Sequence, residues 1–96
     1  MPAGYVIAQL KVTNPENYKA YVTQVSEVVK KYGGEYLVRN GQYQVVEGED
    51  NFPRIVIIKF PTYAKALEWY HSDDYKPVKD IRLQNSEGSN IIVEGI

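Results

Sequence analysis

Ninety-six residues, 44% hydrophobic and 24% charged, describe one globular domain spanning 1–96. Eleven basic against twelve acidic residues leave a net charge of −1 with no run of either sign, which excludes nucleic-acid binding through a basic patch and adsorption to a membrane surface. The absence of cysteine excludes disulfides, thiol nucleophiles and thiolate metal sites, and with a single histidine neither a conventional zinc site nor a haem site is expected, so the chemistry calls for no cofactor. The apolar runs are strand-sized, well short of the roughly 20 residues that span a bilayer. The N-terminus lacks the basic and apolar regions of a secretory signal, and a cytoplasmic location is expected.

Gly4 to Val12 alternates, with Val6, Ala8, Leu10 and Val12 on one face and Tyr5, Ile7, Gln9 and Lys11 on the other, and predicts a first strand. Asn14-Pro15 suits an N-cap and first helical position, and Tyr18, Tyr21, Val22, Val25, Val28, Val29 and Tyr32 recur at the spacing of an amphipathic helix closed by Gly33-Gly34. Glu35 to Arg39 reads as a second strand. Asn40-Gly41 predicts a tight hairpin turn with Tyr43 to Glu47 as the returning arm, followed by a polar loop from Gly48 to Pro53.

Arg54 to Phe60 is the central strand. Ile55 and Ile57 point one way while Val56, Ile58 and Phe60 point the other, so both faces need cover, and one chain of this length supplies helices for only one of them. A second copy of the chain is the expected cover, making a homodimer. Pro61 stops the strand, and Thr62 caps a helix whose inward stripe is predicted as Tyr63, Ala66, Leu67 and Tyr70, leaving Trp69 off the stripe. After a turn at Ser72-Asp73-Asp74, where the acids suit a helix N-terminus, a helix starts afresh at Pro77, runs to about Asn85 and shows Val78, Ile81 and Leu83 inward; Asn90 to Glu94 is the last strand. Two βα units sharing an antiparallel sheet, with the helices on one face, make an α+β fold of the ferredoxin-like split βαβ plan.

Nine tyrosines and one Trp are the unusual part of the composition, since a phenol brings apolar area but needs a polar partner. His71, the only histidine, is either a general acid or base or a helix-end cation. Arg39 and Glu47 face each other across the predicted hairpin, as a cross-strand ion pair or as a guanidinium for a carboxylate or enolate beside a base. Arg82 is either an anchor for an anion or a structural partner of Asp73, Asp74 or Glu47. Tyr75 and Trp69 suit the walls of a pocket for a planar molecule, and Tyr21 suits the core.

Many positions together resemble domain-of-unknown-function family 1330: Gly4-Tyr5, Asn14-Pro15 with Tyr18 and Tyr21, Tyr32-Gly33-Gly34, Arg39, Glu47-Gly48, Phe60-Pro61, Ala66-Leu67, Trp69-Tyr70, Ser72, Tyr75, Arg82 and Val93-Glu94-Gly95. The chain departs from the usual form at Asp73 and Pro77. The resemblance implies the dimeric α/β-barrel superfamily, in which two ferredoxin-like sheets pack face to face. That superfamily includes cofactor-independent monooxygenases, isomerases, haem-degrading enzymes and members without known chemistry. Fold alone does not choose among them.

Three functions therefore compete: a homodimer that binds a small, planar, anionic molecule, a cofactor-independent enzyme on an aromatic or carbonyl substrate, and a non-catalytic structural or regulatory dimer. The expected site is a cleft between sheet and helices that gathers Arg39, Trp69, Tyr75 and Arg82 as ligand-binding residues and Glu47 and His71 as catalytic ones.

Overall fold

The computed structural model describes residues 2–49 and 52–96. Its elements are β1 (Gly4–Val12), α1 (Pro15–Lys31), β2 (Glu35–Arg39), β3 (Arg54–Phe60), α2 (Tyr63–Tyr70), α3 (Lys76–Asn85) and β4 (Ser86–Glu94). The strands form one antiparallel sheet in the order β2-β3-β1-β4, with the two long central strands joined over seven residue pairs from Gly4 opposite Phe60 to Leu10 opposite Arg54. This is the ferredoxin-like α+β plan. Among the described residues no helix is long and apolar enough to cross a membrane.

The helices begin and end where local chemistry dictates. The Asn14 side chain accepts the Asn17 N–H at 3.2 Å, Pro15 opens α1, and Gly33 terminates it at φ 84. The next residue, Gly34, must lack a side chain because a Cβ there would lie 2.6 Å from Val29 and 2.8 Å from Phe60. The Thr62 hydroxyl caps α2 by accepting the Lys65 N–H at 3.1 Å. Ser72 accepts the Tyr75 N–H and donates to the Trp69 carbonyl, making the turn between α2 and α3. Helix α3 starts at Lys76 with Pro77 in its first turn, where a missing N–H costs nothing.

Helix α2 buries Ala66 and half-buries Leu67 and Tyr70 of the predicted stripe, but its other buried residue is Trp69, and Tyr63 is 39% exposed. In an eight-residue helix with apolar residues on most sides, periodicity does not choose the face; the large Trp69 ring takes it by stacking between Phe60 and Tyr75 at centroid distances of 5.3 and 4.2 Å. In α3 the stripe is Val78, Arg82 and Asn85, and Leu83 is exposed, because spacings of four and three from Val78 bring a charged residue inward. Asp74 does not serve an α-helix end; it binds Lys31 at 2.8 Å and the Tyr32 hydroxyl at 2.9 Å, tying α1 to this turn.

Two other expectations are corrected. Tyr43 to Glu47 forms no strand: β2 pairs with β3 on one side, with Tyr36 opposite Ile58 and Arg39 opposite Val56, and remains the edge strand of the sheet. The Asn40 N–H extends that pairing to the Ile55 carbonyl at 2.8 Å, and Asn40 alone takes the left-handed conformation, φ 56, so the two-residue hairpin turn does not form. The last strand also begins four residues early, at Ser86, with Gly88 opposite Leu10 at φ 146, where a Cβ would strike the Gln9 carbonyl. The predicted polar loop includes residues 50 and 51, which lie outside the described residues.

Side chains alternate across this sheet in two chemically different sets. The helix-facing set contains Val6, Ala8, Leu10, Ile58 and Phe60, all at most 6% exposed. On the opposite face lie Ile7, Ile55, Ile57, Ile91 and Val93, with Ile91 56% and Val93 43% exposed and no element of the described chain over them.

Candidate functional site

A cavity opens between the helix-facing side of the sheet and the helices, and every element contributes to its wall. Its floor follows from the strand register. Val56, Ala8 and Asn90 lie side by side on β3, β1 and β4, and the next row toward the end of the sheet is Arg54, Leu10 and Gly88. Small side chains at Ala8 and Gly88 leave room above the sheet. Tyr18, Tyr21 and Val25 of α1, Trp69 of α2 and Arg82 of α3 form the roof. The atom-free space is about 440 Å³ including its opening to solvent, and the room for centres of water-sized molecules is about 30 Å³.

The chemistry of this wall is unusual for a core. Arg39, Arg54 and Arg82 all border the cavity, no Asp or Glu does, and among the described residues none of the three arginines pairs with a carboxylate. Arg82 is only 5% exposed. The expected salt bridge from it to Asp73, Asp74 or Glu47 does not form. Arg54 lies over the Tyr18 ring, 5.3 Å to the centroid, and Arg39 over the Tyr36 ring at 4.5 Å, reaching the Val22 carbonyl at 3.4 Å. Aromatic faces shelter a cation but do not neutralise it.

Four buried side-chain polar atoms among the described residues find no hydrogen-bond partner: Arg54 Nε, Arg82 Nε, Trp69 Nε1 and Asn90 Oδ1. All four belong to residues of this one cavity. Buried polar groups are otherwise satisfied in the great majority of cases, and each orphan costs about 1–3 kcal/mol. Three donors and one acceptor without partners thus belong to residues that border one space.

The phenols around this space are donors, not bases. Tyr21 and Tyr75 share a hydrogen bond of 2.8 Å between their hydroxyls, joining α1 to the start of α3. Burial pushes the Tyr21 phenol well above its ordinary range, and the neighbouring Tyr75 pushes it further. Burial also raises Tyr75, against the pull of Arg82, and raises Tyr18, against the pull of Arg54. At neutral pH each stays protonated. No cluster of three His, Asp or Glu side chains that could hold a metal ion occurs among the described residues.

Of the six residues expected in the cleft, the structure brings Arg39, Trp69 and Arg82 into the cavity wall. Tyr75 lies directly behind them, against Trp69 and Tyr21. Glu47 goes elsewhere: without a returning hairpin arm it borders a groove on the opposite side of the sheet, with Gln9 and Ile55. His71 is the C-cap of α2 and is exposed, its ring edge-on to Tyr70 at 5.2 Å, because the inward turn of that helix is occupied by Trp69. Arg54 and Asn90 were missed. The signal for Arg54 was available, since it stands two residues before Val56 and therefore on the same face.

Comparison with known proteins agrees on the fold. No curated protein matches the sequence significantly. A protein of unknown function from Rhodopseudomonas palustris superposes with a TM-score of 0.75 at 16% identity, covering 97% of this chain and 80% of that one. A Caulobacter crescentus protein provisionally named an antibiotic biosynthesis monooxygenase gives 0.62 at 18% identity, covering 97% and 87%. One from Nitrosomonas europaea with the same provisional name gives 0.56 at 16%, covering 98% and 95%. At such identities the likeness concerns the architecture alone, the ferredoxin-like fold. The model of the family described as Domain of unknown function (DUF1330) matches residues 3–96, and the chain belongs to that family.

Proposed function

We propose that the protein is a homodimer that binds a small, planar, anionic organic molecule in the cavity between sheet and helices. The observation that carries this reading is the set of three arginines without a carboxylate, one of them Arg82 at 5% exposure. A buried cation without a counter-ion is costly, and an incoming carboxylate supplies the missing charge and accepts from the unpaired Nε–H groups. Flat guanidinium and ring faces favour a flat ligand. Arg39 is the exposed residue of the wall, so such a molecule enters past it.

The dimer rests on the other face of the sheet. Ile7, Ile55, Ile57, Ile91 and Val93 make a contiguous apolar surface of the kind that a monomer rarely leaves in water, and the superfamily resemblance supplies its cover, the same face of a second copy. Binding is favoured over general-base catalysis because the cavity wall holds guanidiniums and protonated phenols and no group that takes a proton near neutrality. A cofactor-independent oxygenation, as the names of the two bacterial neighbours suggest, would need a substrate that brings its own reactivity.

Thermal denaturation with and without benzoate tests the reading. Saturation at about a hundred times Kd stabilises by about 2.7 kcal/mol, which moves the midpoint of a domain this size by on the order of 10 °C. The shift is expected with benzoate and not with uncharged benzamide. Equal shifts with both, or none with any planar carboxylate, would overturn it.

A further inference from the structure

The orphaned atoms specify more than a negative charge. A simple carboxylate offers two oxygens that only accept, and these suit the Nε–H groups of Arg54 and Arg82. Two orphans are then left over. Trp69 Nε1 is a donor in a ring 1% exposed, and Asn90 Oδ1 is an acceptor. A carboxylate has nothing to donate to Asn90, so a ligand with only that group leaves the acceptor buried and unpaired. A ligand hydroxyl has one hydrogen to donate and lone pairs to accept, so a single such group can serve Trp69 and Asn90 together.

The sheet register puts these needs at different places on one ligand. Asn90 is on β4 and Arg54 on β3, separated by the width of β1 and offset by one row, so their Cα atoms stand about 10 Å apart across the strands and about 7 Å apart along them. Both residues border the same cavity, with Ala8 on its floor between them. The acidic end of the ligand belongs at Arg54 and Arg82, and the hydroxyl end at Asn90.

Resting on the anion-binding reading above, we propose that the ligand is a hydroxylated planar carboxylic acid, a phenolic or enolic acid, whose carboxylate lies between Arg54 and Arg82 and whose hydroxyl donates to Asn90 Oδ1 while accepting from Trp69 Nε1. The preference for the hydroxyl comes from the penalty on its absence, since a site built with a buried acceptor rejects the analogue that cannot fill it.

Calorimetric titration of the full-length protein with benzoate and with its ortho, meta and para hydroxy derivatives tests this. At least one hydroxybenzoate is expected to bind about tenfold or more tightly than benzoate. In Asn90→Leu, or in Asn90→Ala should the first variant fail to fold, the ratio of the two affinities is expected to fall to about one. If all four acids bind the wild type equally, or if the preference survives in the Asn90 variant, the assignment of the hydroxyl is wrong while the anion site stands. If none of the four binds, the anion site falls with it.

Discussion

The two faces of the sheet are mismatched with their surroundings in opposite senses. Beneath the helices, where apolar atoms belong, the wall carries three guanidiniums and four polar atoms without partners. On the other side, where water waits, the chain presents Ile7, Ile55, Ile57, Ile91 and Val93. The two parts of the proposed function answer these mismatches separately: a small polar molecule would meet the polar deficit inside, and a second apolar sheet face would cover the apolar surplus outside. Since neighbouring residues of β3 serve the two faces alternately, with Arg54 and Val56 under the helices and Ile55 and Ile57 outside, the two demands are separable by single substitutions.

The largest effect belongs to the outer face. Ile57→Lys places a charge in the middle of the proposed sheet–sheet contact, where it has no partner, and is expected to dissociate the dimer or unfold the chain. Sedimentation at low micromolar concentration reads the first outcome and thermal denaturation the second. A variant that remains dimeric with unchanged melting would remove that face from the interface, and a folded wild-type monomer under the same conditions would remove the dimer altogether.

On the inner face the expected pattern is the reverse, loss of binding without loss of fold. Arg82→Met removes a buried cation and its orphaned Nε while keeping most of the volume, and such exchanges are often neutral or stabilising. Its melting temperature is expected to be at or above that of the wild type, while affinity for a planar carboxylate falls by about 1.5–3 kcal/mol, the worth of a hydrogen bond to a charged group. Lower stability together with unchanged affinity would make Arg82 structural. Arg39 sharpens the same comparison. The Arg39 side chain is exposed, so for Arg39→Ala a loss of no more than about 1 kcal/mol is expected, diminishing as salt is added. Titration at two ionic strengths separates the mouth from the buried site.

How legible all this was depended on the range of the physics involved. Alternation in β1 and β3, the Asn14-Pro15 start of α1 and the Thr62 cap are local, and the structure contains them as the sequence predicts. The Asn40-Gly41 hairpin is also a local signal, yet the turn does not form: the Asn40 N–H carries the pairing of β2 with β3 one step further, to the Ile55 carbonyl, and only Asn40 of the pair has a positive φ. Site residues were legible where the chain was read by type and illegible where it had to be read by face. Arg39, Trp69 and Arg82 stood out as Arg and Trp, whereas Arg54 and Asn90 sit at the beginnings of predicted strands, where polar residues look like ends. Glu47 and His71 were drawn toward the site by their chemistry, but no sequence pattern fixed which side of the sheet they would reach.

The smallest expected effect tests whether the phenols of the inner face are the neutral, buried donors described above. Tyr18, Tyr21, Tyr36 and Tyr75 all ionise less readily in the folded chain than at the ordinary value of 10.0, chiefly because burial disfavours the phenolate. The folded state therefore holds these protons more tightly than the unfolded one. The stability they contribute is present in full below about pH 10 and is lost as the pH rises from there toward the folded values, since the unfolded chain gains by ionising first. Melting temperature is expected to be level on the neutral side and to decline above about pH 10, with tyrosinate absorbance from the buried set appearing together with unfolding rather than before it. In Tyr21→Phe, which removes one of these groups and the 2.8 Å bond to Tyr75, stability at pH 7 should fall by about 1 kcal/mol, and the alkaline decline should become shallower. If tyrosinate forms fully while the fold persists, these phenols are more open to water than their burial indicates, and the inner face is not the enclosed one of the two.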